Sequence, residues 1–330
     1  MSGALHDFLA AVRAELGHAP DAERVRPGEF TRFSTNGKPG NRDGWLKWFA
    51  DGCGGCYGCK RQGITETWQA GAARYLSPAD RMQREQQRRE AQQRSAEQQR
   101  QQWHEAGERN ARLWAACRPL SAADAAGRYL RHRLRCLPAV LPTCLRFHPG
   151  LDYWHDGERL GTFPALVATI TSPAGELLAL HRTYLDPSGR KASLPDGAPV
   201  KKLTRAAGYL MGGCVRLAEP DAAGLLGVAE GIETALAASM AGGLPVVAAY
   251  SAGALAAWQW PAAVRHIVVC ADNDPAGAAA AHELGQRALS AGLRVHVAAP
   301  SAPGLDWCDI WASRDECEPQ HDDEGAAQHA

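Results

Sequence analysis

The feature that most constrains this chain is an apolar run of strand length that ends in two aspartates. Residues 266–271 read HIVVCA, and Asp272 and Asp274 follow directly, with one asparagine between them. A proline and a glycine then break the strand, and an Ala-rich helical pattern begins. Because open parallel sheets bind ligands at their carboxyl edge, the aspartates stand where chemistry is expected. An isolated Asp-x-Asp is more often a solvated turn than a functional site. The rest of the chain must therefore decide between these two interpretations.

A second apolar run, residues 225–229, also ends in an acid, Glu230, followed by a glycine turn and a helical pattern. If the two strands are adjacent and parallel, Glu230 lies close to Asp272 and Asp274. Two carboxylates about 4 Å apart repel by roughly 4 kcal/mol at an effective dielectric near 20, so such a cluster usually needs a cation or a shared proton. Oxygen donors suit Mg²⁺ or Mn²⁺, and no Cys/His cluster here argues for zinc. The sequence therefore predicts a metal site that handles phosphate esters.

The order of elements indicates a parallel α/β unit. After Glu230 we predict a helix to about residue 242, strands at residues 245–250 and 293–298, and a long helix at residues 276–291. Strands that alternate with helices in this way are typical of a parallel sheet flanked by helices.

These residues resemble a known family. Glu-Gly after one strand and Asp-x-Asp after another are similar to the signature of the Toprim domain, which bacterial-type primases, type IA and II topoisomerases and some nucleases share. The segments AEGIETALA, CADNDPAGAAAAHELGQRA and LDWCD look most like Toprim primase-like proteins of phages, plasmids and integrative elements. The resemblance implies an α/β fold, with a Toprim domain of about four parallel strands flanked by helices.

The resemblance also implies roles for the acids. Glu230, Asp272 and Asp274 become the catalytic candidates, and the same three become candidate metal ligands together with Asp306 and Asp309. The later pair departs from replicative primases, which tend to have one residue between these acids, whereas this chain has two.

Glu233 is a further acid near the motif. It falls on the first helical turn after the Glu-Gly motif, where the helix dipole favours a carboxylate. The helix dipole and a role as a metal ligand explain the position of Glu233 equally well.

Composition limits the classes of protein that fit. The 330 residues include 36 basic and 36 acidic ones, so any nucleic-acid site must be a local patch. No apolar run is long enough to span a membrane, no secretion signal is present, and the ten cysteines point to a reducing cytoplasm. The chain contains no Gly-rich phosphate loop of a helicase motor. We therefore expect a cytoplasmic protein without a membrane segment.

We expect five segments along the chain. They are a small Gly/Trp-rich β module (1–75), a charged Gln/Arg-rich linker helix (76–117), a mixed α/β subdomain like the N-terminal half of the primase core (118–220), the Toprim domain (221–315) and a disordered acidic tail (316–330). The linker contains almost no apolar residue between residues 82 and 103, so we predict a long solvated helix.

The first module contains Cys53, Cys56 and Cys59, and primases commonly begin with a zinc ribbon. Structural zinc prefers four ligands in two separated pairs, whereas these three cysteines lie within seven residues. The segment resembles a zinc ribbon that has lost its ligands. Zinc therefore stays possible, but a metal-free sheet is favoured.

A basic strip precedes the Toprim motif. Within residues 118–220 we predict strands at residues 145–148, 165–170 and 177–184, and a turn at 186–189. Cations that could hold a template strand or a nucleoside triphosphate cluster around and after this turn: Arg182, Lys191, Lys201, Lys202 and Arg205. A plain cationic hairpin face is the alternative.

The leading hypothesis is a primase that joins ribonucleotides on single-stranded DNA with Mg²⁺ or Mn²⁺, in the replication of a mobile element, with a separate helicase or initiator as its partner. A Toprim nuclease that hydrolyses phosphodiesters is the enzymatic alternative. A non-catalytic single-stranded-DNA-binding accessory is the third. A topoisomerase would need a nucleophilic tyrosine on a further large domain.

Overall fold

The computed structural model describes residues 3–37, 41–59, 62–70, 78–195, 197–302 and 304–313, which divide between two compact units, residues 1–98 and residues 99–330. The tail predicted at residues 316–330 lies outside the described residues. Among the helices that are described, none combines the length and the apolar character needed to cross a membrane.

The first unit contains a four-stranded antiparallel sheet and one helix packed against it. Its elements are α1 (Gly3–Leu16), a short 3-10 helix (Ala22–Arg24), β1 (Phe30–Phe33), β2 (Gly44–Trp48), β3 (Gly54–Cys59) and β4 (Ile64–Gln69), with the strands paired in chain order. Burial alternates along β2, as in a strand with one face in a core. Phe8 of α1 lies 5.1 Å from the ring of Trp48, so the helix and the sheet share one core.

A long helix, α2 (Pro78–Ala116), follows. Its described side chains are exposed as far as Gln102, as expected of a helix without an apolar face. The last turns, which belong to the second unit, differ from the predicted solvated linker because they pack within that unit. The buried Asn110 amide donates to the carbonyl oxygens of Leu178 and Arg205 at 3.3 and 3.1 Å.

The second unit begins with an antiparallel sheet of five strands. These are β5 (Arg118–Pro119), β6 (Leu145–His155), β7 (Glu158–Thr171), β8 (Leu177–Tyr184) and β9 (Lys201–Leu203), in chain order, with α3 (Ala125–Leu134) between the first two. The strands β6 and β7 are longer than predicted because a two-residue turn joins them. Asp156 and Gly157 there have φ of 49° and 85°, as the tight hairpin turn requires.

A parallel sheet of four strands follows, in the order β11-β10-β12-β13. Its strands and helices are β10 (Leu225–Ala229), α4 (Ile232–Gly242), β11 (Val246–Ala248), α5 (Ala252–Ala257), β12 (His266–Cys270), α6 (Pro275–Ser290), β13 (Arg294–Ala298) and α7 (Trp307–Ala312). The helices α4 and α7 share a core with α3, whereas α5 and α6 share a second core. The predicted fold class is confirmed: a parallel sheet flanked by helices follows a mixed α/β subdomain.

Candidate active site

Two acidic side chains leave the parallel sheet at one edge because their strands are adjacent and in register. β10 pairs with β12, and Ala229 lies opposite Cys270 at the ends of the two strands. Glu230 follows the first strand directly, and Asp272 follows the second after one more residue. Both side chains line a cavity of about 180 Å³.

The loop after β12 gives its two aspartates different contacts. Asp274 caps α6, since its Oδ1 accepts a hydrogen bond from the backbone N–H of Gly277 at 2.7 Å. Asp272 instead lines the cavity, and its buried Oδ1 has no hydrogen-bond partner among the described residues. A side chain at position 277, in the first turn of α6, would force the backbone to shift, because a Cβ there would lie 2.6 Å from the carbonyl oxygen of Asp272.

The negative charges at this edge perturb one another. Burial and the charges of Glu230, Asp306 and Asp274 raise the pKa of Asp272 to about 6. Burial and then Asp274 raise the pKa of Glu230, although a backbone hydrogen bond from Ala252 and the nearby charge of Lys201 act in the opposite direction. A cation bound among these carboxylates would favour their ionised forms.

Asp306 and Asp309 lie at the start of α7 and cap it reciprocally. Asp306 Oδ1 accepts from the N–H of Asp309 at 2.9 Å, and Asp309 Oδ2 accepts from the N–H of Asp306 at 3.0 Å. The other Asp306 oxygen lies 3.2 Å from the Arg133 guanidinium, and Asp306 lines the cavity. Asp309 is exposed, and its carboxylate turns back to the backbone.

Cations from the preceding subdomain line the same cavity. Lys191 and Lys201 were expected near the acids, and Arg133 of α3 joins them. The Lys201 ammonium lies 2.9 Å from Glu233 Oε2, and the hydroxyl of Tyr129 donates to Glu233 Oε1 at 2.5 Å. Burial alone would raise the pKa of Glu233, but the Lys201 charge and these hydrogen bonds lower it to about 2.

The other predicted cations lie away from this cavity. Side chains alternate along β9, so Lys202 points to the opposite face from Lys201, where its ammonium contacts the carbonyl of Trp154. Arg182 donates to the carbonyl of Leu203 at 2.8 Å. Arg205 donates to the side chain of Gln102 at 2.8 Å. The basic strip is thus divided between different surfaces.

Tyr129, Arg133 and Glu233 line the cavity but were not among the predicted site residues. Tyr129 and Arg133 are four residues apart on α3, a spacing that puts both on one face of a helix. That spacing was visible in the sequence, but nothing there indicated that the face meets the acids. For Glu233 the sequence left a helix-dipole role and a metal-ligand role open, and its burial at 4% exposure was not foreseen.

The donor chemistry of the site fits a divalent cation. Carboxylates dominate the sheet edge, and the buried Asp272 oxygen is left without a partner in the described part of the chain. Even so, no group of three His, Cys, Asp or Glu side chains among the described residues is arranged to hold a metal. Ligation would therefore require the side chains to rotate.

The three cysteines of the first unit are not arranged as a zinc site. Cys56 and Cys59 are three residues apart on β3, so the alternation of a strand puts their side chains on opposite faces. Cys59 is buried, and its thiol lies 4.0 Å from the hydroxyl of Thr35. Cys53 precedes the strand and donates from its backbone to Asp51.

Two family profiles match the second unit. Residues 225–316 match the Toprim domain, and residues 104–217 match a domain of unknown function (DUF7146). No curated protein sequence matches the chain.

Solved structures that match parts of the chain include DNA primase domains. The zinc-binding and RNA polymerase domains of the Aquifex aeolicus primase are 15% identical with a TM-score of 0.40, over 94% of this chain and 82% of that one. The bacteriophage T7 primase fragment is 17% identical with a TM-score of 0.35, over 58% and 68%. A Pseudomonas aeruginosa DNA primase domain is 20% identical with a TM-score of 0.34, over 49% of this chain and 51% of its own length.

The parallel sheet with its acidic edge lies within the residues that match the Toprim profile. The chain thus contains a Toprim domain at residues 225–316, after a domain of unknown function at residues 104–217, and the expected Toprim resemblance is confirmed.

Proposed function

We propose that the protein is a DNA primase-type nucleotidyltransferase that joins ribonucleotides on single-stranded DNA with Mg²⁺ or Mn²⁺. The observation that most supports this is the buried Asp272 oxygen, which has no hydrogen-bond partner in the described part of the chain. It lies in a cavity that Glu230 and the cations Lys191 and Lys201 also line. A nucleotidyltransferase needs both groups, since acids hold a metal and cations hold a triphosphate.

Glu230, Asp272 and Asp274 are the proposed metal ligands, with Asp306 and Asp309 contributing from α7. A divalent cation held there would offset the charge of the phosphates and polarise the phosphoryl group under attack. Asp274 can contribute while it caps α6, because the cap uses one of its carboxylate oxygens. The second oxygen of Asp306 would first have to leave the Arg133 guanidinium.

The side chains of the protein have their own roles in this proposal. Lys191, Lys201 and Arg133 donate charge-assisted hydrogen bonds to the triphosphate oxygens. The 3′-oxygen forms a bond to the α-phosphorus, the bond from that phosphorus to the bridging oxygen breaks, and pyrophosphate leaves. The proton of the 3′-hydroxyl passes to Glu230, whose pKa burial and the charge of Asp274 raise above its ordinary value. The exposed Arg205 remains a proposed contact for the template backbone.

The test is primer synthesis on single-stranded DNA with labelled ribonucleotides and Mg²⁺ or Mn²⁺. We expect short oligonucleotides from the wild type and none from Asp272→Asn. Glu219→Gln is the matched control, because it removes an exposed carboxylate whose partner, Arg216, lies 3.7 Å away. That control should synthesise primers at the wild-type rate.

The same assay separates the alternatives. Degradation of the template without primer synthesis would support a Toprim nuclease. Template binding without either product, unchanged in Asp272→Asn, would support a non-catalytic accessory and would overturn the proposal.

A further inference from the structure

Glu233 is a buried carboxylate to which the proposed reaction assigns no role. It lies on the first turn of α4 with 4% of its surface exposed. Both of its oxygens are occupied by side chains of the preceding subdomain. Tyr129 donates to Oε1 at 2.5 Å, and Lys201 donates to Oε2 at 2.9 Å. A carboxylate held from both sides has a fixed orientation.

The contact determines where the Lys201 ammonium lies. Lys201 belongs to β9, a three-residue strand at the edge of its sheet, and its side chain is 40% exposed. A lysine in that position has a flexible stem and a strongly hydrated head, so it would sample many rotamers in the absence of a partner. The pair with Glu233 instead keeps the ammonium in the cavity that Asp272 and Glu230 line.

The geometry leaves the ammonium able to bind a ligand. An ammonium has three N–H donors, and the hydrogen bond to Glu233 uses one of them. The remaining donors can bind phosphate oxygens. Tyr129, which is 2% exposed, restrains the carboxylate from its other side.

We propose that Glu233 is a positioning residue that, with Tyr129, holds the Lys201 ammonium ready for the phosphates of an incoming nucleoside triphosphate. The inference rests on the proposed function, because it takes the nucleoside triphosphate as the ligand of this cavity. Glu233 itself does not contact the nucleotide. Its removal therefore weakens nucleotide binding only through Lys201.

A purely structural role would give different results. If Glu233 only fastened α4 to the preceding subdomain, its loss would lower the amount of folded protein and leave the affinity of the folded molecules unchanged. A positioning role predicts an effect on nucleotide affinity that disappears once the lysine is absent.

The experiment is a double-mutant cycle of Glu233→Gln and Lys201→Met. The affinity for an α,β-methylene nucleoside triphosphate with Mg²⁺ is measured by calorimetry, and KM and kcat are measured in primer synthesis. Each single variant should weaken binding and raise KM about tenfold with a smaller change in kcat, the size expected for one charge-assisted hydrogen bond. The double variant should bind no more weakly than Lys201→Met alone.

Two further variants distinguish a loss of positioning from misfolding of the protein. Tyr129→Phe keeps the aromatic ring and the ion pair but frees one carboxylate oxygen, so it should raise KM by a smaller factor. Asp152→Asn breaks an exposed ion pair of similar length, 2.8 Å to Arg159, and should leave KM unchanged.

Additive losses in the double variant, or wild-type affinity in Glu233→Gln beside a weakened Lys201→Met, would overturn the positioning role. Wild-type protein that neither binds the analogue nor makes primers would instead overturn the proposed function.

Discussion

Asp272→Asn tests the acidic cluster through protein stability. The variant keeps the shape of the side chain and removes its charge. In the wild type the carboxylate lies beside Glu230, Asp274 and Asp306, and burial and these charges raise its pKa from 3.8 to about 6. In metal-free protein at neutral pH, the ionised carboxylate therefore opposes folding. We expect Asp272→Asn to be more stable than the wild type under those conditions, although it is inactive.

The size of the effect follows from the pKa. A pKa raised by about two units corresponds to about 3 kcal/mol at 1.36 kcal/mol per unit. The side chain of Asp272 is only half-buried, and solvent screens part of the repulsion, so we expect about 1–2 kcal/mol.

The sign of the pH dependence is fixed by linkage. Because the pKa of Asp272 is higher in the folded than in the unfolded protein, the folded state binds more protons between pH 4 and pH 6. The stability that this proton contributes is present below the unfolded pKa of about 3.8 and is lost as the pH rises through about 6. The variant should therefore match the wild type near pH 4 and exceed it above pH 7.

The assay is guanidinium unfolding of both proteins in a chelator at several pH values. Burial lowers the pKa of His181 to about 4, so this side chain titrates in the same pH range. Both proteins contain it, so its contribution cancels when their free energies of unfolding are compared. Added Mg²⁺ should stabilise the wild type and leave the variant nearly unchanged. A variant that is less stable than the wild type at pH 7.5 in chelator, or a pH-independent difference, would refute the electrostatic reasoning.

Further predictions concern the loop and the cysteines. Asp274→Ser should keep the helix cap and its stability while it lowers activity, whereas Asp274→Ala should also lose about 1 kcal/mol in guanidinium unfolding; equal stability of the two would contradict the capping role. Gly277→Ala should cost about 1–3 kcal/mol in the same assay, because its Cβ would meet the Asp272 carbonyl oxygen, and a neutral effect would show that the loop can relax. Metal analysis of purified protein should find less than one zinc per chain, and stoichiometric zinc lost on Cys56→Ser would contradict the opposed faces of Cys56 and Cys59.

The elements of the parallel sheet were predictable because their signals are local. The strand at residues 225–229 is a continuous apolar run with an acid and a glycine at its end, and the structure gives the same bounds. The strand that leads to Asp272 ends one residue earlier than predicted. By contrast, the long hairpin of β6 and β7 was underestimated, because its outer half is more exposed and lacks an apolar run.

The position of the acids at the carboxyl edge of the parallel sheet was also predictable from local signals. The side chains that surround these acids were not. Adjacent parallel strands place Glu230 and Asp272 together once their order is known. The contact between Tyr129 and Glu233 joins residues 104 positions apart, and no local pattern indicates such a pair. The separation of Lys201 from Lys202 depends on which face of β9 packs toward α4, which is a property of the tertiary fold.

The distribution of the site along the chain gives the domain of unknown function a specific part in the proposed reaction. Arg133, Lys191 and Lys201 lie within the segment that matches this domain, whereas Glu230 and Asp272 lie within the Toprim segment. Each segment thus contributes charges of mainly one sign to one cavity. Acids alone would repel a triphosphate, and cations alone would leave a metal without ligands. The reaction that we propose therefore needs both segments in one folded unit, with the ion pair of Lys201 and the buried Glu233 joining them at the cavity.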